Sequence, residues 1–126
     1  KRMLSAMTPT IVEKDGQLTM IAGTPGGSTI ITSVFQTILN VYDFKMSIQK
    51  AIDAPRFHHQ WLPDQVILEP KKFNDQIIKK LQKKGYNIKE KEARIMGRVD
   101  AIHIDSDGKI STGADARGDD RAAVLR

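Results

Sequence analysis

Two consecutive glycines, Gly26 and Gly27, are the residues of this chain whose type and position are best suited to chemistry. They lie in the stretch GTPGGST, residues 23–29, between a strand-like apolar run and a helix-like one. Glycines at such a junction let the backbone adopt positive φ angles and approach a ligand closely. The helix that follows adds free N–H groups and the positive end of its dipole. The stretch therefore predicts either an anion-binding loop or an ordinary tight turn.

The sequence of the loop limits which kinds of anion it could bind. A nucleotide-binding P-loop has a lysine directly after its last glycine, and Ser28 stands there instead. A nucleotide phosphate is therefore disfavoured, whereas a carboxylate or the oxyanion of an acyl-transfer intermediate remains compatible. Loss of one oxyanion donor typically raises a reaction barrier by about 3 kcal/mol.

Several other polar residues could in principle serve a functional site, but their sequence context favours a structural role for each of them. Ser5 has a hydroxyl suited to a substrate carboxylate, but a lone serine before a strand is more typical of a turn. His58 and His59 are adjacent, so on extended backbone they point to opposite sides, and no third metal ligand lies at a useful spacing. Asp53 and Arg56 are predicted to brace the loop between them through hydrogen bonds or an ion pair.

The charged residues near the end of the chain do not have the spacing of a calcium loop. They are Asp115, Arg117, Asp119, Asp120 and Arg121. With no cysteine in the sequence, disulfides and thiolate metal sites are excluded. No metal ion or other cofactor is predicted.

The net charge of +5 comes from one segment, since eight lysines lie between residues 71 and 91. This segment contains only Phe73 and Tyr86 as aromatic residues, so it has no regular stacking platform for bases. A solvated helix face is favoured there, and no nucleic-acid partner is predicted. No apolar run approaches 18 residues, so no membrane span is predicted either.

The elements that position the glycines follow from apolar spacing and turn residues. Strands are predicted at 8–14 and 18–22 around an Asp-Gly turn, and a helix from Ile30 to Tyr42. Ser28 and Thr29 are candidate N-cap residues of this helix. The remaining predictions are a short helix at 47–53, a loop with aromatic anchors at 57–64, a strand at 65–69, a surface helix at 74–84, and strands at 86–90, 99–105 and 109–112. This order indicates an α+β fold with a mixed, largely antiparallel sheet and packed helices rather than a doubly wound parallel sheet.

Four motifs carry a resemblance that covers essentially all 126 residues. They are LSAMTPTIV, GTPGGSTIITSVFQTILNV, AIDAPRFHHQWLPD and GADARGDDRAA, in this order. Together they resemble the C-terminal part of the small subunit of γ-glutamyltranspeptidase. The resemblance implies an N-terminal-nucleophile hydrolase fold, a four-layer αββα sandwich. It also implies a precursor that cuts itself and exposes a nucleophilic threonine, which attacks the γ-glutamyl amide of glutathione and related compounds.

Carried over residue by residue, the resemblance assigns roles to four positions. Gly26 and Gly27 match glycines whose N–H groups form the oxyanion hole. Ser5 matches the first of two serines that bind the α-carboxylate of the γ-glutamyl group, but Ala6 stands where the family usually has the second. Asp115-Ala116-Arg117 replaces the more usual Asp-Pro-Arg, which we expect to loosen a turn.

The nucleophilic threonine and the other substrate-binding residues of the family lie upstream of this segment. We therefore expect residues 1–126 to be one incomplete domain, inactive alone, whose partners are the rest of the small subunit and the large subunit. Its substrates would be glutathione, γ-glutamyl compounds and amino acid or peptide acceptors. By resemblance the location is periplasmic, secreted or at the cell surface. Three alternatives stay open: a γ-glutamyl-compound binding module without catalysis, a related acylase with a different acyl group and, ranked last, a basic nucleic-acid module. We also expect the isolated piece to self-associate.

Overall fold

The computed structural model describes residues 7–90 and 96–125 of the chain. An antiparallel four-stranded sheet forms its centre, in the order β1-β2-β6-β7. Its strands are β1 (Thr10–Lys14), β2 (Gln17–Gly23), β6 (Asp100–Ile104) and β7 (Ile110–Gly113). The predicted Asp-Gly hairpin joins β1 to β2, with a register shift between Val12 and Glu13.

Two helices, α1 (Ile30–Tyr42) and α2 (Ile48–Asp53), follow β2. Both pack on one face of the four-stranded sheet, to which β2 contributes the buried Met20 and Ala22 and β6 contributes the buried Ala101. The buried core formed in this way consists of Met20, Ala22, Val34, Val41, Ile48, Ala51, Ile52, Val99 and Ala101. One end of α1 is tied to the sheet by a 2.6 Å hydrogen bond between the hydroxyls of Tyr42 and Thr19.

The opposite face of the sheet carries apolar side chains that the described residues leave uncovered. Ile11, Ile21 and Ile102 lie side by side across three strands and are 67%, 39% and 38% exposed. Ile31 and Phe35 of α1 are also exposed, so the apolar stripe predicted for this helix is buried on only part of its width.

A second, three-stranded sheet has the order β3-β4-β5. It contains β3 (Phe57–His58), β4 (Val66–Leu68) and β5 (Ile88–Glu90), and α3 (Asp75–Lys83) connects β4 to β5. The pair β4–β5 is parallel and β3–β4 is antiparallel. This sheet corrects one expectation, because the predicted loop at 57–64 begins with a strand. Its one parallel pair agrees with the predicted mixed, largely antiparallel arrangement.

The surface helix α3 is confirmed within one residue at each end. Asn74 caps it, since its Oδ1 accepts a 2.7 Å hydrogen bond from the Gln76 N–H. Gly85 ends it with φ +93. In the part of the chain that the structure describes, no helix is both long enough and apolar enough to cross a membrane.

Candidate functional site: a glycine loop beside an open cleft

The loop between β2 and α1 is built on two glycines in the left-handed half of backbone space. Gly26 has φ +145 and Gly27 has φ +62. A Cβ atom on Gly26 would lie 2.9 Å from the Cα of Gly97 and 3.0 Å from the Thr29 Oγ1, so no side chain fits there. A Cβ on Gly27 would meet nothing within 4 Å, so this position requires glycine for its conformation alone.

The backbone N–H groups of both glycines are candidates for binding a ligand. Among residues 7–90 and 96–125, no acceptor receives a hydrogen bond from either of them. Gly26 and Gly27 line a cleft of about 1000 Å³, which runs over the uncovered face of the sheet past Ile21 and Ile102. Since unpaired backbone donors are normally satisfied by a partner or by solvent, these two can serve a bound anion.

A short 3-10 turn, Gly27–Thr29, leads from the loop into α1. The N-cap of α1 is Thr29, one of the two predicted candidates, but its side chain makes no capping bond to the helix. Its hydroxyl instead donates to the Gly26 carbonyl oxygen at 3.0 Å. This bond fixes the turn to the loop. The first residue of α1, Ile30, also lines the cleft, so the free N–H groups at the start of the helix lie near it.

Behind the loop lies a buried network of two arginines and two carboxylates. Arg56 donates to Asp115 at 2.6 Å, and Arg117 donates to Asp115 at 3.0 Å. The Nη2 of Arg117 also donates to Glu69 at 2.7 Å, and its Nε contacts the other carboxylate oxygen. All four residues are at most 9% exposed, and the backbone N–H groups of Arg56 and Val99 complete the hydrogen bonding of the carboxylates.

The charges of this network are stabilised by their mutual pairing. Burial on its own would raise the pKa of Asp115, but the Arg56 charge and the backbone N–H bonds outweigh it and lower that pKa. Glu69 behaves in the same way, since the Arg117 side chain and the Arg56 N–H outweigh burial and lower its pKa. Both carboxylates are therefore ionised at neutral pH.

One carboxyl group of the cleft, that of Asp100, has a raised pKa instead of a lowered one. Asp100 begins β6 and lines the cleft together with the two glycines. Burial, followed by the nearby charges of Asp120 and Asp115, raises the pKa of Asp100. The cleft thus has a carboxyl group near the loop that gives up its proton less readily than a free aspartate.

Several predicted residues take other positions than expected. Ser5 and Ala6 lie outside the described residues. The expected ion pair of Asp53 with Arg56 is wrong: Arg56 pairs with Asp115 from the end of the chain, and Asp53 accepts from Gln49 at 3.0 Å. Arg56 still braces its loop, because its Nη2 donates to the Ile52 carbonyl at 2.8 Å.

The predicted aromatic anchors of the 57–64 loop are also wrong, since Trp61 is 76% exposed and Phe57 is 46% exposed. What fixes this segment is His58, which is buried and hydrogen-bonded to Thr32 at 2.8 Å and Gln60 at 2.9 Å. His59 is half-exposed and lies 3.0 Å from Asp64. The histidines thus have separate structural contacts.

Sequence reasoning missed Thr24, Glu69 and Gly97, three residues that support the loop. The Thr24 hydroxyl accepts a 2.6 Å hydrogen bond from the Arg98 N–H, and Gly97 contacts Gly26. A glycine two residues before a predicted strand is a usable signal of close backbone approach. Glu69 had no local signal, because its partner Arg117 is 48 residues away.

The fold, the glycine loop and the solved structures of similar shape define the class: this is part of an N-terminal-nucleophile hydrolase of the α+β type. Residues 1–125 match the family model described as gamma-glutamyltranspeptidase. The chain therefore belongs to the γ-glutamyltranspeptidase family.

Individual relatives agree with this assignment. The glutathione hydrolase proenzyme of Escherichia coli is 45% identical over 95% of the chain. A γ-glutamyltranspeptidase structure from Pseudomonas nitroreducens, complexed with L-DON, is 38% identical and superposes with a TM-score of 0.88, covering all of this chain and 65% of that one. The acylase ACY 1 proenzyme of a Pseudomonas species is 30% identical over 94% of the chain. The chain spans about one fifth of the length of these curated relatives.

Proposed function

We propose that this chain is part of an enzyme that cleaves the γ-glutamyl amide of glutathione and related compounds. The enzyme passes the glutamyl group to water, or to an amino acid or peptide. The observation that carries the proposal is the Gly26–Gly27 loop, which lines the cleft and whose two backbone N–H groups have no acceptor among the residues described. Family membership supports the same chemistry.

In this reaction a threonine of the precursor, upstream of this segment, attacks the γ-carbonyl carbon through its hydroxyl oxygen. A C–O bond forms, and the electron pair of the carbonyl moves to its oxygen. The N–H groups of Gly26 and Gly27 donate hydrogen bonds to that oxyanion, and the start of α1 adds its dipole. The threonine's own α-amine takes up the hydroxyl proton as the C–O bond forms and passes it to the leaving amine as the C–N bond breaks. Water or an acceptor amine then attacks the resulting ester, and the threonine leaves with its proton restored.

The glutamyl α-carboxylate is assigned by resemblance to Ser5. Ala6 stands beside it in place of the usual serine and contributes no hydroxyl. A hydrogen bond to a charged group contributes about 1.5–3 kcal/mol. We therefore propose that this protein binds γ-glutamyl groups more weakly than relatives with two serines.

We further propose that the segment acts within a longer precursor, as one incomplete domain. The uncovered row of Ile11, Ile21 and Ile102 fits the inner face of a sandwich whose second sheet comes from the rest of the precursor. The relatives of about fivefold greater length are named proenzymes. By the same resemblance we propose that the enzyme acts in the periplasm, outside the cell or at its surface.

A second candidate is an acylase with a different acyl group. Two observations favour it: Ala6 weakens the match to a glutamyl carboxylate site, and one relative is named an acylase. The oxyanion loop would act in the same way in both enzymes, so acyl specificity distinguishes them.

The deciding experiment is chromophore release from a γ-glutamyl anilide by the full-length, self-processed protein. We expect release by the full-length protein and none by residues 1–126 alone. A glutaryl anilide, which has the same chain and the same terminal carboxylate but lacks the α-amino group, is the matched substrate. Preference for the glutaryl anilide would favour the acylase, and silence on both substrates would contradict acyl transfer altogether.

A further inference from the structure

A single buried hydroxyl joins the glycine loop to the segment that precedes β6. Thr24 is fully buried. Its Oγ1 donates to the Pro25 carbonyl at 2.6 Å and accepts from the Arg98 N–H at 2.6 Å. The hydroxyl therefore uses its one donor on the loop itself and an acceptor site on the other segment.

The two segments also touch through glycines. Gly97 has φ +77, and a Cβ atom on it would lie 3.0 Å from Thr24 Oγ1 and 2.8 Å from Ser33 Oγ. A Cβ on Gly26 would lie 2.9 Å from the Gly97 Cα. The backbone of the loop thus rests directly on the backbone at Gly97, with Thr24 at the edge of this contact.

The supporting segment is itself held in place. The Nη1 of Arg56 donates to the carbonyls of Met96 and Gly97, each at 3.3 Å. The Val99 N–H donates to Asp115 at 2.8 Å. Since Arg56 and Asp115 belong to the buried ion network, Thr24 connects the glycine loop to the most strongly paired part of the described structure.

We propose that Thr24 is a positioning residue for the oxyanion loop. Its hydroxyl fixes the loop against the Gly97 segment, so that the N–H groups of Gly26 and Gly27 point to one place in the cleft. The proposal rests on the proposed function of that loop. Because an error of about 1 Å in a catalytic geometry can cost about a hundredfold in rate, loss of this bond should affect the chemical step more than substrate binding.

The test compares variants of the full-length, self-processed protein on the γ-glutamyl anilide. Thr24→Val keeps the shape but removes the hydroxyl, and Thr24→Ser keeps the hydroxyl. We expect kcat to fall by about tenfold or more in Thr24→Val with little change in KM, and to stay within about threefold of the parent in Thr24→Ser. Thr37→Val is the matched control, because Thr37 is also buried and donates only to the Ser33 carbonyl within α1. It should keep its kcat.

Hydrogen–deuterium exchange gives a readout that does not depend on activity. The peptide covering residues 21–30 should exchange faster in Thr24→Val than in Thr24→Ser or Thr37→Val. If Thr24→Val yields no folded protein, Thr24→Ala carries the same comparison. An unchanged kcat and unchanged exchange in a folded variant without the hydroxyl would overturn the proposal. An inactive parent protein would instead refute the proposed function, and the exchange data would still decide the role of Thr24.

Discussion

In the proposed carboxylate site, Ala6 stands where the resemblance leads us to expect a second serine. We expect Ala6→Ser in the full-length protein to lower KM for a γ-glutamyl anilide by about ten- to a hundredfold, the ratio that corresponds to one hydrogen bond to a charged group. Steady-state kinetics measure this change, with a 4-aminobutyryl anilide as the control substrate because it keeps the amino group but lacks the α-carboxylate. An equal change of KM for both substrates would remove Ala6 from the carboxylate site.

Glu69 accepts hydrogen bonds from Arg117 and from the Arg56 backbone. Glu69→Gln leaves the Arg117 charge poorly compensated in a buried place. We expect it to lower the free energy of unfolding of the full-length protein by about 3–5 kcal/mol at pH 7, measured by urea denaturation. Asp64→Asn is the control, since the Asp64 side chain is 86% exposed and its loss should cost at most about 0.5 kcal/mol.

The effect of Glu69 depends on pH in a direction fixed by its pKa. The folded-state pKa of Glu69 is lowered, so the carboxylate stabilises the fold above the unfolded-state pKa of about 4.3. This stabilisation is lost as the pH falls through the folded-state pKa. We therefore expect the difference between the parent and Glu69→Gln to narrow progressively below about pH 4. A difference that stays constant down to pH 2.5 would contradict the pairing.

At the scale of elements, the sequence was informative wherever the signal is local. The β1–β2 hairpin, α1 and α3 follow from turn residues, apolar spacing and caps. The glycine loop lies between β2 and α1, as predicted. The strand β3 was missed because it has only two residues, Phe57 and His58, and it is held by the Gln36 side chain, which bonds both the N–H and the carbonyl of Phe57. The partner of Arg56 was missed because it lies 59 residues away.

The glycines illustrate the same limit. Their position between a strand and a helix was visible in the sequence, but the contacts of Gly26 with Gly97 and Thr29 form only in the folded chain. The anion-hole interpretation could therefore not be separated from a tight turn on local grounds. Only the resemblance to a family distinguished the two.

At the scale of the whole molecule, the uncovered sheet face predicts association. We expect residues 1–126 alone to form oligomers or aggregates, because Ile11, Ile21 and Ile102 form an exposed apolar row. Sedimentation velocity measures this. Ile21→Thr combined with Ile102→Thr should reduce association. The control is Ile77→Thr, which should not reduce it; Ile77 lies on α3 and is 50% exposed. A monodisperse, cooperatively melting monomer would contradict the proposal of an incomplete domain.

The central claim is that the Gly26–Gly27 loop stabilises an oxyanion, and one kinetic comparison tests it most directly. Gly27→Ala and Gly108→Ala place a methyl group at similar φ angles, +62 and +76, with nothing within 4 Å of either. Both should therefore lose about 1–2 kcal/mol of stability. In the full-length, self-processed protein we expect only Gly27→Ala to lower kcat on the γ-glutamyl anilide, by about tenfold or more. Equal kcat values in the two variants would contradict the account.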